Sequence, residues 1–189
     1  MPMAETPRDM SRLSLDDLAK LAADHPSPPL DQWNPPHNGD SLVRIAADGR
    51  WFHDGTVIMR ENLVRLFASI LRREGDGSYV LVTPVERQTV KVDDLPLQAV
   101  EVKSEGVGRD RTLAFRLNVG TIVMAGPDHP IRFDGTADDP SPAVRVRPGI
   151  EARIARAPFY ELVEWACDEA PDAPGLWSNG DFYSMAAIA

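Results

Sequence analysis

DGRWFHDGTVIMRENLVRLFASIL, residues 48–71, decides how the chain is read: a hairpin that runs straight into an amphipathic helix, with Arg60 at the junction. Asp48-Gly49 is a tight-turn pair between an alternating run (Leu42, Val43, Ile45) and a return strand over residues 50–58. Asp54-Gly55 is a second turn signal within that return strand and predicts a bulge or kink there. From Glu61 or Asn62 onward, Leu63, Leu66, Phe67, Ile70 and Leu71 recur at the i, i+3, i+4 spacing of one buried helix face. Arg72 and Arg73 suit the negative end of that helix, and Gly75 supplies its stop.

On the N-terminal side, Ser14 with Asp17 forms a capping-box pattern ahead of a short helix ending near Asp24, whose stripe is Leu15, Leu18, Leu21 and Ala22. Residues 25–40, HPSPPLDQWNPPHNGD, carry five prolines, which rule out a helix and a central strand. They predict an extended strap, pinned to the body by Trp33. On the C-terminal side, short β-branched runs predict strands over residues 79–83, 88–92, 97–103, 112–117, 121–125 and 131–133, followed by a solvated loop at 135–142. The opening pattern then returns. Strands at 143–147 and 150–155 flank Pro148-Gly149, Pro158 takes the first helical position, and Phe159, Leu162, Val163, Ala166 and Cys167 form a stripe that predicts a buried thiol. Two further strands are expected at 176–179 and 182–188, and Ile154-Ala155-Arg156 matches Ile58-Met59-Arg60.

The expected fold is therefore α+β: two related strand–strand–helix–strand–strand units with mainly antiparallel sheets, the second extended by extra strands. The helix and strap occupy residues 1–40, the first unit 41–95 and the second 96–189.

Composition narrows the function classes. A formal net charge of -9 and a pI near 4.9 argue against nucleic-acid or membrane-surface binding, which need a dense positive patch. No apolar run approaches the roughly 20 residues of a membrane span, and MPMAETPRDM lacks the order of a signal peptide, so a cytoplasmic location is expected. Of the basic residues only Lys20, Lys91 and Lys103 are lysines; the arginine excess suits carboxylates and phosphates, although a GC-rich genome is the simpler explanation of it. One cysteine excludes an internal disulfide, and His25, His37 and His53 lie too far apart in sequence to suggest a metal site. The glycine pairs at Gly75–Gly77 and Gly106–Gly108 lack the lysine or helix of a phosphate loop, so no cofactor is expected.

Taken together, WFHDGTVIMR (51–60), LVRLFASILRREGDGSYVLVTPVE (63–86) and VDDLP (92–96) resemble the bacterial family called domain of unknown function 1285, over nearly the whole chain from Trp33 onward. The resemblance implies a two-domain α+β protein with a duplicated core, its C-terminal half superficially pleckstrin-homology-like. It also implies a nucleotide-like ligand at the domain interface, in signal transduction and under oxidative stress.

Arg60 and Arg156 are the most informative candidates. A cation ahead of a helix faces the positive end of the macrodipole, an arrangement unfavourable by about 0.3–1 kcal/mol unless an anion lies between. That anion is either a protein carboxylate (Glu86, Asp93 or Asp94) or a phosphate held by the guanidinium and the helix amides. Thr83 and Glu86 in Thr83-Pro84-Val85-Glu86 are read as a strand-ending turn or as a cleft edge. Asp128 and His129 sit in the rigid loop GPDHP, where an Asp-His pair could position a base, although no nucleophile is identifiable. The expected function is a small-molecule binding or signalling module with an anionic ligand between the units and a protein partner in signalling. A hydrolase or transferase using Asp128, His129 or Glu86, and a protein-interaction scaffold, are the rivals.

Overall fold

The computed structural model describes residues 10, 13–24 and 27–188; most of the N-terminal stretch discussed above, and His25 of the strap, lie outside them. Helix α1 (Leu15–Ala23) starts where the capping box places it. The Ser14 hydroxyl accepts from the Asp17 amide at 3.1 Å, and the Asp17 carboxylate accepts from the Ser14 amide at 3.2 Å. Leu15 and Leu18 are buried against Ala114 and Ile122, with Leu21 and Ala22 partly buried beside them. The strap is extended except for one 3-10 turn at Leu30–Gln32. Leu30 rather than Trp33 is its buried anchor, because Leu30 fits against Val80 and Val82 while the larger indole stays partly exposed beside it.

The first sheet contains β1 (His37–Ile45), β2 (Trp51–His53), β3 (Thr56–Val57), β4 (Leu71–Arg73), β5 (Tyr79–Val82) and β6 (Glu86–Val92), with α2 (Glu61–Ser69) between β3 and β4. Its order is β3-β2-β1-β6-β5-β4, and only the central β1–β6 pair is parallel. The second sheet contains β7 (Leu97–Glu105), β8 (Thr112–Leu117), β9 (Ile122–Met124), β10 (Ile131–Gly135), β11 (Pro140–Arg147) and β12 (Ile150–Ile154). Its order is β10-β11-β12-β7-β8-β9, again with only the central β7–β12 pair parallel. Counted within each unit, both sheets run third, second, first, sixth, fifth, fourth. The chain is an α+β protein of two related units. After β12 come α3 (Arg156–Glu169) and the hairpin of β13 (Gly175–Ser178) and β14 (Asp181–Ser184).

The shared topology relocates the two helices. Helix α2 follows the third strand of its unit, whereas α3 follows the sixth, so Arg60 and Arg156 hold different places in the fold. The counterpart of α2 in the second unit is the link over residues 125–130, which contains Asp128 and His129.

Several expected boundaries move for identifiable reasons. Asp54-Gly55 is a full hairpin turn, with φ of 46° and 77°, so the return strand divides into β2 and β3 instead of bulging. Helix α2 stops at Ser69 because residues 71–73 pair with β5, and sheet pairing overrides the helical spacing. Leu71 is thus fully buried in a strand, Leu66 is 55% exposed, and Ala68 takes the inner helix face. Arg156 is already helical, which puts Pro158 at the third position, where an amide would lack an intrahelical partner anyway. Cys167 is exposed, since Leu162 and Ala166 occupy the inner face of α3. Strand β11 begins inside the expected loop, and the last strand ends at Ser184.

One apolar core runs through both units, joining Ile45, Trp51 and Leu71 to Leu97, Phe115, Ile150 and Leu162. Among the described residues no helix is long and apolar enough to cross a membrane. The link between the units is clamped on both sides. Arg44 of β1 pairs with Asp93, and Arg153 of β12 makes two bonds to Asp94 at 2.9 and 2.7 Å.

Two outcomes follow. Leu71→Ala should lower unfolding free energy by about 2–5 kcal/mol in chemical denaturation, since the vacated space is enclosed by both units. The Arg153 guanidinium holds the Asp94 carboxyl below its ordinary value, a contribution present above the unfolded-state pKa and lost as pH falls through the lower folded-state value. The Tm gap between wild type and Asp94→Asn should therefore persist from neutral pH to about pH 5 and close as the pH falls below about 4. A gap independent of pH would contradict the assignment.

Candidate functional site

A cavity of about 560 Å³ lies between the two units, within the roughly 300–1,000 Å³ common for small-molecule sites. The first unit supplies the last turns of α2, with Arg65, Ala68 and Ser69. The second supplies the β8–β9 turn and β9, from Val119 to Met124, together with Leu97, Val146, Arg147 and His129. Leu21 and Ala22 of α1, and Ser27 and Pro28 of the strap, complete the wall.

Arg147 belongs to the second unit but ends a helix of the first. Its Nη2 donates to the carbonyls of Ala68 and Leu71, both at 2.7 Å, where the negative end of the α2 dipole also favours a cation. Burial lowers its pKa to about 10, which leaves it charged at neutral pH. Arg65 lies one turn before Ala68, and its guanidinium packs over Gly120, whose φ of +87° suits glycine. A Cβ at position 120 would stand 3.4 Å from that guanidinium. Its carboxylate contact, with the exposed Glu61, is long at 3.9 Å. His129 Nδ1 lies 3.2 Å from the Arg145 carbonyl, which can only accept, so Nδ1 is the donor.

The N-terminal segment spans the seam. The amides of Met10 and Leu15 donate to Glu101 and Glu105 in the second unit, and Lys103 donates to the Leu13 carbonyl. Beyond α1 the strap returns to the first unit, where Arg72 Nη1 donates to the carbonyls of Leu30 and Trp33 at 2.7 Å each.

Of the residues singled out in the sequence, the structure brings only His129 to this cavity. Arg60 precedes α2, is exposed, and its side chain makes no hydrogen bond or ion pair among the described residues. Arg156 is exposed, with its guanidinium 5.9 Å from the Tyr160 ring. The carboxylates proposed to answer them are engaged elsewhere: Asp93 by Arg44, Asp94 by Arg153, and Glu86 by the Gln88 amide at 2.9 Å. The Thr83 hydroxyl accepts from the Glu86 amide at 3.1 Å and so serves its own turn. Asp128 is exposed, and no hydrogen bond joins it to His129. Among the described residues no group of three His, Cys, Asp or Glu side chains is placed to hold a metal.

Two family profiles match adjoining parts of the chain. The N-terminal domain of the domain of unknown function DUF1285 covers residues 28–95, and the C-terminal domain of the DUF1285 protein of unknown function covers residues 96–185. The chain belongs to the DUF1285 family. Crystal structures agree: a DUF1285 family protein from Silicibacter pomeroyi DSS-3 is 44% identical, with 90% of this chain and 93% of that one covered at a TM-score of 0.76. A DUF1285 family protein from Shewanella baltica OS155 is 31% identical, with 66% of this chain and 91% of that one covered at a TM-score of 0.52. No curated protein matches.

Sequence reasoning missed Arg65 and Arg147 of this DUF1285 chain. In a regular strand Arg145 and Arg147 would share a face, but β11 carries one extra residue between them, so Arg145 stays exposed while Arg147 reaches α2. Arg65 looked like one more charge on a polar helix face. Arg147→Met should lower unfolding free energy by about 1–3 kcal/mol in denaturant titrations, because two helix-end carbonyls lose their donor. An unchanged midpoint would show that the tie between the units contributes nothing.

Proposed function

We propose that the protein is a small-molecule-binding module that takes an acidic ligand, bearing a phosphate or carboxylate, in the cavity between its units. The observation that carries this reading is two guanidiniums, Arg65 and Arg147, in the wall of one interface cavity: among the described residues Arg147 has no carboxylate partner and Arg65 has only the exposed Glu61 at 3.9 Å, in a chain whose formal net charge is -9. A partly desolvated cation whose counter-ion is distant or absent attracts an anion, because the low local dielectric weakens water's competition.

Signalling is compatible with the same geometry. Walls from both units and from α1 make occupancy sensitive to how these parts sit, and a protein partner that recognises one arrangement would read the ligand.

A thermal-shift screen with nucleotides, inorganic phosphate and small carboxylates tests the reading, since a ligand at about 100 times its Kd adds about 2.7 kcal/mol. The shift should vanish in Arg65→Met and persist in Arg60→Met. A shift lost in Arg60→Met and retained in Arg65→Met would move the site to the N-terminus of α2.

A further inference from the structure

The cavity's composition constrains what kind of acid it takes. Its wall is aliphatic along one stretch: Leu21 and Ala22 from α1 face the same space as Val119, Ile122, Val123 and Met124. Methionine, unbranched and polarizable, adapts to a flexible apolar guest. Two cations line the same space: Arg147 donates to the Ala68 and Leu71 carbonyls at the C-terminal end of α2, and Arg65, from the same helix, lays its guanidinium over Gly120 of the β8–β9 turn. The Nε and Nη1 hydrogens of Arg147 have no acceptor among the described residues, since its two bonds both leave from Nη2.

What the wall lacks matters equally. Among the described residues it contains no Phe, Tyr or Trp and no Asn or Gln. Nucleobases are commonly held by stacking on aromatic rings and read by amide or backbone groups at their edges.

We infer that the ligand is an amphipathic acid, an aliphatic chain with one anionic head, whose head meets Arg65 and Arg147 while the chain lies along β9 and α1. This rests on the interface cavity being the binding site. The single carboxylate among the described residues of the wall, Asp24, is exposed and is the C-cap of α1.

Isothermal titration of the delipidated full chain with decanoate, 1-decanol and AMP tests the inference. Decanoate should bind saturably, and decanol should bind about tenfold more weakly or worse, because its hydroxyl brings no negative charge to the arginines. AMP should give no binding heat. Arg65→Met should bring decanoate down to the decanol level, and Ala22→Phe, which narrows the aliphatic end without touching a charge, should weaken decanoate and decanol alike. Arg65→Met avoids the interface bonds that Arg147 makes, so its effect is read on a folded protein. Binding of AMP with no binding of decanoate would overturn the acid inference and leave the interface site standing. Equal affinity for decanoate and decanol, unmoved by Arg65→Met, would also overturn it by showing the charges to be idle. Silence toward all three probes would overturn the inference and the interface-site reading together.

Discussion

The fold depends on one guanidinium that works across a boundary. Arg147 leaves the second sheet to satisfy two carbonyls at the end of a helix in the first. A helix of nine residues has too little intrinsic stability to hold itself and must be fixed by its surroundings. Here the surroundings include a cation at the negative end of the dipole, which caps α2 where the pairing of β4 with β5 ends it. The pairing of Leu71–Arg73 with β5 then completes the first sheet. A charge half-buried for this purpose gives up part of its water for two hydrogen bonds from one nitrogen, so the seam that stabilises the fold also keeps unused donors.

Duplication explains why those unused donors lie between the units. Each sheet joins its third strand to its fourth by a crossover, α2 in the first unit and residues 125–130 in the second. Both crossovers contribute to the cavity wall, through Arg65 and Ala68 on one side and His129 on the other. Related connections have therefore been turned toward a common space, while the clamps Arg44–Asp93 and Arg153–Asp94 hold the linking residues.

The sequence showed the strands well, because alternation and turn pairs are local. The Ser14 capping box, the Asp48-Gly49 turn and the β-branched runs from residue 79 onward needed no tertiary information. The end of α2 was another matter. Leu71 continues the helical spacing perfectly, and only its pairing with β5, ten residues further on, takes it out of the helix. The macrodipole argument at Arg60 and Arg156 rested on a real repulsion, but both side chains are exposed, and water screens a penalty of that size without a counter-ion. Arg147 was hidden by a single inserted residue, since a bulge reverses the facing of everything beyond it.

The acidity of the chain and its cationic cavity are not in conflict, because they act over different distances. A formal charge of -9 sets the field that a large polyanion meets on approach, and it is unfavourable to one. Arg65 and Arg147 line a cavity between the units instead of forming a broad basic patch. If the cavity takes a small acid, as proposed, that solute meets the cations only after passing an exterior screened over a Debye length of about 8 Å in physiological salt. On that reading the placement would select by size as well as by sign, favouring a solute narrow enough to enter and apolar enough to gain from the aliphatic wall.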